Sequence, residues 1–339
     1  MGEAYLHNHG GMSFGKITAT LPVNQFIVGD SANNGTAVIY AHFGRDAVRL
    51  HPSECVFSPA TVSAGTTSIT ISATINGVTR SCSLPVTVYN PSSSFGSNTW
   101  AQIAAAAYLG RAVDLWQAGD EKTETIDGTQ HTIRILGFDH NSLAQGDEMY
   151  SDAYYNKGKG KAAIALQFKT SFAAVNMNDS LMKDMAAGWN ASKLRTEILP
   201  ALYALFPSAL KNVVRQVETF CYDRASVSAA SARSYTLQDR LTLIDEFIEA
   251  CSYPYMYSAG NAVAAFFYHK YHDQVDNYEL FEQSGYVGLT EKEWTRTFSW
   301  DSNSVGYMMR VIRQSSSSAT DSESSYPYNP HIYRPIFNI

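Results

Sequence analysis

The sequence predicts a multidomain protein in which an all-β sandwich precedes an α+β domain. Three features of the chain carry that expectation. Short stretches of alternating apolar and polar residues, separated by turn residues, recur between residues 17 and 90. Apolar residues at helical spacing occupy the middle of the chain. Beyond them, Trp294 to Ile339 runs from an aromatic and basic stretch, through a polar one, to the apolar block Arg334-Pro335-Ile336-Phe337-Asn338-Ile339. A chain of 339 residues, 45% apolar and 17% charged, suits about two globular domains with sizeable cores.

Residues 1–16 are rich in Gly and His and short of core formers, which predicts an extended arm, either docking onto a partner or disordered. Ile17–Leu21 and Thr67–Ile75 alternate with period two, and Asn76-Gly77 supplies a hairpin turn. Leu84–Tyr89 closes the sandwich, 17–90. Residues 91–98 are a Pro/Ser linker by composition. Thr99 then caps a helix carrying Trp100, Ile103, Ala107 and Tyr108, and Gly110 stops or bends it. Lys157-Gly158-Lys159-Gly160-Lys161 reads as a solvated hairpin tip, because it lacks the Gly-Lys-Ser/Thr order of a phosphate loop. Four more helices follow: Ser180–Ala187 capped by Asn178 or Asp179, Lys193–Phe206 bent at Pro200, Ser208–Val217, and Leu241–Ala250.

The net charge of −6, with no Lys/Arg cluster, gives no nucleic-acid footprint. No apolar run approaches the roughly 18 residues that a membrane span needs, so no membrane insertion is expected. Residues 1–11 have neither the basic region nor the apolar core of a signal peptide. The four cysteines, Cys55, Cys82, Cys221 and Cys251, are too scattered for a disulfide framework. Buried thiols are the expectation, although Cys55 and Cys82 could face each other across the β-domain. His7 and His9 have no further ligand nearby. His269, His272 and Asp273 share one helical face but sit in a Tyr-rich run, and His140 beside Asp139 suits structural hydrogen bonds. Asp245, Glu246 and Glu249 fit a solvated helix face. No metal, cofactor or catalytic residue is assigned.

Two resemblances add to this. Phe26-Ile27-Val28-Gly29-Asp30, the strand Thr36–Phe43 with Gly44, Ser58-Pro59, Ala64-Gly65-Thr66 and Val86-Thr87-Val88 follow one another in the order of a bacterial immunoglobulin-like domain, which residues 26–90 resemble. Such modules act as spacers and adhesion units, and the resemblance implies no catalysis. Residues 99–339 resemble a domain family of uncharacterised function, common in phages and prophages of gut bacteria and related in architecture to the C-type-lectin-like fold. The landmarks are Trp100 with Ile103, Gly119-Asp120, Ile126-Asp127-Gly128, Ile133–His140, Gly188-Trp189 with Arg195, Leu205-Phe206-Pro207, Asp239–Leu243, Trp294-Thr295-Arg296 and the closing Arg334–Ile339. The chain departs from that pattern at Ile332-Tyr333, where Gly-Val is usual, and in a long Tyr-rich stretch at 250–283. The reactive cysteine pair of the fold's formylglycine-generating members has no counterpart. Trp300-Asp301-Ser302-Asn303 only loosely echoes a calcium-dependent sugar-binding strand.

The expected working surface is a polar display loop, 299–331, held between two anchoring strands. Its Ser, Asn and Tyr content is that of recognition loops, as against a Ser-rich loop that recognises nothing. In position and composition it resembles the retroelement-diversified segments of phage attachment proteins. The expected contact residues are Trp300, Asp301, Asn303, Tyr307, Arg310, Arg313, Tyr326, Tyr328 and Asn329. The resemblances together imply a non-enzymatic phage or prophage protein on the virion surface. It would dock to other virion subunits through its N-terminal arm and bind a host-surface glycan or protein. Attachment proteins are often trimers, though the sequence has no heptad stalk. The alternatives are a capsid decoration or head-fibre protein and, from another class, a glycan-acting enzyme.

Overall fold

The computed structural model describes residues 13–179, 188–224, 232–243, 292–301, 306–314, 320–325 and 329–339. The chain divides into two units, Met1–Ser92 and Ser93–Ile339, and strands predominate in both. The protein is thus a multidomain, β-rich one.

The first unit has eight strands: β1 (Phe14–Thr20), β2 (Gln25–Ile27), β3 (Val38–Phe43), β4 (Asp46–Leu50), β5 (Val56–Ser58), β6 (Ser68–Ile75), β7 (Val78–Pro85) and β8 (Thr87–Tyr89). They form antiparallel sheets in the orders β1-β3-β4 and β5-β6-β7, plus a parallel β2-β8 pair. Alternation dictates the packing. In β6, Ile69, Ile71, Ala73 and Ile75 point inward and meet Ile39, Ala41 and Phe43 of the other sheet in one core. Asn76 and Gly77 both adopt positive φ, as a tight two-residue hairpin requires. Leu84–Tyr89 is not one strand: after Pro85, the chain leaves β6 and pairs with β2.

Phe14–Lys16, expected to belong to an arm over 1–16, are part of β1. Phe14 and Ile17 would face opposite sides of a regular strand, but a bulge between Phe14 and Lys16 turns both inward, and Phe14 packs on Phe43 at 5.6 Å. Residues 1–12 lie outside the described residues. Cys55 and Cys82 are free, half-buried thiols against this core, and burial pushes Cys55 up to about 11.

The 91–98 stretch, expected as a linker, is largely built into the second unit. Phe95 is buried against Trp116 at 5.3 Å, and Asn98 donates to the carbonyl of Ser94. Helix α1 (Trp100–Tyr108) starts with Thr99 and Gln102 capping each other and ends before Gly110 at φ +60°. A short α2 (Ala112–Leu115) leads to β9 (Glu121–Ile126) and β10 (Thr129–Phe138), joined by a turn with positive φ at Asp127 and Gly128. The lysine-glycine run is no hairpin tip. Asn156 and Lys157 turn left-handed, buried Asn156 donates to Asp139 and to the Lys161 carbonyl, and Lys159 pairs with Asp139.

Then come β11 (Ile164–Phe168) and β12 (Phe172–Val175). The helix expected over Lys193–Phe206 is a π-turn, Leu194–Ile198, that passes into α3 (Leu199–Ala204). Pro200, in the first turn of α3, has no N–H for the regular ladder, which accounts for the break. Nor does a helix span Ser208–Val217. α4 (Ser208–Lys211) stops early, and β-branched Val213, Val214 and Val217 lead into β13 (Val217–Arg224), which pairs with β14 (Ala232–Asp239). Leu241–Leu243, expected to open a helix, run extended with both leucines buried. Residues 180–187 and 244–250 lie outside the described residues.

The chain closes with β15 (Glu293–Asp301), β16 (Gly306–Gln314), β17 (Thr320–Ser325), β18 (His331–Tyr333) and β19 (Ile336–Asn338). The sheets are β19-β11-β10-β9 and β12-β18-β15-β16-β17. β19 pairs with β11 on one side. On the other, Thr242 exchanges backbone bonds of 2.9 and 2.8 Å with Ile336, and Arg215 N–H donates to the Asn338 carbonyl at 2.8 Å. Phe337 is fully buried among Trp100, Phe168 and Phe206, at 5.6 to 6.5 Å between ring centroids. Phe337→Ala should therefore destabilise the second unit by about 3–5 kcal/mol. Urea denaturation would read this as a fall in the midpoint, and an unchanged midpoint would contradict β19's place in the core.

Candidate functional site

Residues 299–331, expected as one display loop, are largely strand. β15, β16 and β17 form an antiparallel meander with Trp300 opposite Tyr307, Arg310 opposite Ser324 and Arg313 opposite Asp321. The reading as loop failed for a physical reason. Asp and Glu are poor strand formers, yet Thr320–Ser325 pairs along Met309–Gln314 of β16, where Val311 and Ile312 suit a strand well. Trp300 and Asp301 end β15, Tyr307 begins β16, and Arg310 and Arg313 lie further along it. Asn303, Tyr326 and Tyr328 lie outside the described residues, as do His269, His272 and Asp273. Asn329 is half-buried, with its side chain 3.5 Å from the Ser325 hydroxyl.

Both ends of the meander are fixed to the core. At its start, Trp294 is 1% exposed and donates its indole N–H to the Val175 carbonyl at 2.8 Å. Its neighbour Glu293 grips Arg334 through two bonds of 2.6 and 2.7 Å, with both side chains at most 2% exposed. At the far end, the Ser325 hydroxyl meets His331 Nε2 at 2.7 Å, and the His331 ring stands edge-on to Trp294 at 4.7 Å. The pair Glu293–Arg334 locks the parallel register in which Glu293 faces Ile332. Arg134 is near: burial and the like charge of Arg334 lower its guanidinium to about 10, while it donates to Gln167 at 2.6 Å.

A second feature lies at the other edge of the same sheet. An open cleft of about 700 Å³ is bounded by the β9–β10 turn, β12, Tyr333 and the π-turn with α3. His131 stacks on Phe172 at 4.6 Å and Phe172 on Tyr333 at 5.5 Å. Ile198, Leu202 and Leu205 contribute apolar walls, and Asp127 and Glu197 its carboxylates. Burial holds the His131 imidazole below its ordinary 6.5 and pushes the Tyr333 phenol up to about 12. The sequence reading passed over this cleft. Its one signal was Tyr333, noticed only as a departure from a family pattern, since His131 and Phe172 look like ordinary strand residues.

Among the described residues, no group of three or more His, Cys, Asp or Glu side chains could hold a metal, and no helix is long and apolar enough to cross a membrane. No family model, curated protein or solved structure matches the chain.

Arg334→Met should cost about 3–5 kcal/mol, because it strands the Glu293 carboxylate in the core. The double change Arg334→Met with Glu293→Leu should recover much of that loss in the same urea titration. Failure to recover would mean that Arg334 acts through packing alone. Because His131 takes its proton less readily folded than unfolded, its contribution is complete above pH 6.5 and declines as pH falls through the depressed folded value. His131→Phe keeps a ring on Phe172 and removes the titration. Its melting temperature should fall less than that of the parent between about pH 7 and about pH 5; equal slopes would show the imidazole to be uncoupled from folding.

Proposed function

We propose that this chain is a non-enzymatic virion structural protein of a phage or prophage, exposed on the particle and binding the host surface through its second unit. The reading takes the first unit as an immunoglobulin-like spacer and the second as a C-type-lectin-like domain. The observation that carries it is the anchored meander. The meander, whose strands carry Trp300, Tyr307, Arg310 and Arg313, is held to the core at Glu293, Trp294 and Ser325, and a recognition surface needs such a fixed base. The first unit agrees with its reading in having two antiparallel sheets over one core and a closing strand that crosses to pair in parallel with β2.

Trp300, at the end of β15, and Tyr326, just beyond β17, are the aromatic anchors of the proposed contact. Replacing both by Ala should weaken binding of the purified chain to host cells by roughly ten-fold or more, with little change in melting temperature. Undiminished binding would sink the site assignment. Sustained release of sugars from host glycan by the parent chain would replace the whole reading with an enzymatic one.

A further inference from the structure

The sheet β1-β3-β4 of the first unit turns one face to the core and the other outward. Register fixes what the outward face carries. Thr18, Tyr40 and Arg49 form one cross-strand row, and Lys16, His42 and Ala47 form the next. At ordinary sheet spacings the Cα atoms of Lys16 and Arg49 stand about 12 Å apart, with Tyr40 and His42 between them. Tyr40 is 38% exposed on the central strand, and the Thr18 hydroxyl meets His42 Nε2 at 2.8 Å. Lys16 and Arg49 are exposed and form no ion pair among the described residues. Arg80 adds a cation at the margin of β1, where its Nε–H donates to the Gly15 carbonyl at 2.8 Å. Of the unit's described carboxylates, Asp46 is paired with Phe43 on the core side, while those of Asp30 and Glu54 accept the backbone N–H groups of Ile27 and His51. A solvated face ordinarily mixes both signs of charge. This one carries cations around an aromatic ring.

We propose that this face binds an acidic polysaccharide, a chain in which carboxylated and neutral sugars alternate. Lys16 and Arg49 would each take a carboxylate, the guanidinium in a two-pronged grip. A neutral sugar between them would lay its C–H face on the Tyr40 ring, whose hydroxyl keeps one end wet. The Thr18–His42 pair offers further hydrogen-bonding atoms to sugar hydroxyls. Nucleic acid and anionic membrane fit this face less well. Both are held by many cations acting together, and Lys16, Arg49 and Arg80 are too few on a chain of net charge −6. A neutral glycan would leave the cations unused. The inference gives a binding role to the unit read above as a spacer, and it does not rest on the meander of the second unit.

The test is calorimetric titration of the full chain with hyaluronan oligosaccharides, whose acidic and neutral sugars alternate, and with neutral chito-oligosaccharides and poly-glutamate as controls. Hyaluronan should bind saturably and about ten-fold or more tighter than the neutral sugar, and its affinity should fall as salt is raised. Lys16→Gln combined with Arg49→Gln should lower that affinity by about ten-fold or more. The melting temperature should not change, because neither side chain is in an ion pair among the described residues. Tyr40→Thr keeps a good strand former and should weaken hyaluronan binding while leaving poly-glutamate as it was, which separates sugar recognition from charge alone. The chain with Trp300→Ala and Tyr326→Ala should bind hyaluronan as the parent does. Absence of saturable binding, full affinity in the charge-neutralised chain, or loss of binding in the Trp300→Ala, Tyr326→Ala chain would each overturn the proposal. So would poly-glutamate, single-stranded DNA or anionic lipid vesicles binding as tightly as hyaluronan.

Discussion

The second unit depends on how its closing residues are seated. β19 fills the space between β11 and the extended segments at Arg215 and Thr242, so its backbone is bonded on both flanks. Ile336, Phe337 and Ile339 are at most 1% exposed. Side chains of that kind contribute about 1.5–3 kcal/mol each on burial. Both neighbours of β19 come from far earlier in the chain, so the strand completes a sheet whose contacts are long-range. Such pairing is slow to form, because loop closure must precede it.

The Glu293–Arg334 pair sits one step before that strand. Burying two charges is expensive, and an apolar pair of the same shape often serves stability as well or better. Specificity of register is the better account of it. β15 and β18 run parallel and touch through few residues, so their sequences alone would tolerate slippage. A two-pronged ion pair tolerates none. The surroundings share this polar character: Arg134 lies close enough to be depressed by Arg334.

What was legible in the sequence is what local chemistry decides. The alternation of Ser68–Ile75, the Asn76-Gly77 turn, the Thr99 cap, the stop at Gly110 and the burial of Arg334–Ile339 each follow from a few adjacent residues. What was misread is decided at a distance. Val213–Val217 and Leu241–Leu243 have helical spacing, but β19 offers open backbone groups and draws both segments into extended pairing. Thr320–Ser325 has a loop composition and becomes a strand because β16 lies beside it. The cleft was invisible for the same reason, being assembled from four separate parts of the chain.

β18 joins these features. His331 and Tyr333 are two residues apart and therefore share one face of the strand. His331 holds the end of the meander through Ser325, while Tyr333 forms the end of the ring stack in the cleft. Arg334, the next residue, clamps the strand to Glu293. Three attachments on and just beyond so short a strand leave it little freedom to move. The ring stack is thus preformed: Phe172 is fixed between His131 and Tyr333, and β12 is fastened by the Trp294 indole at Val175. The same rigidity supports the meander, whose strands gain a stable base from a core they do not themselves build.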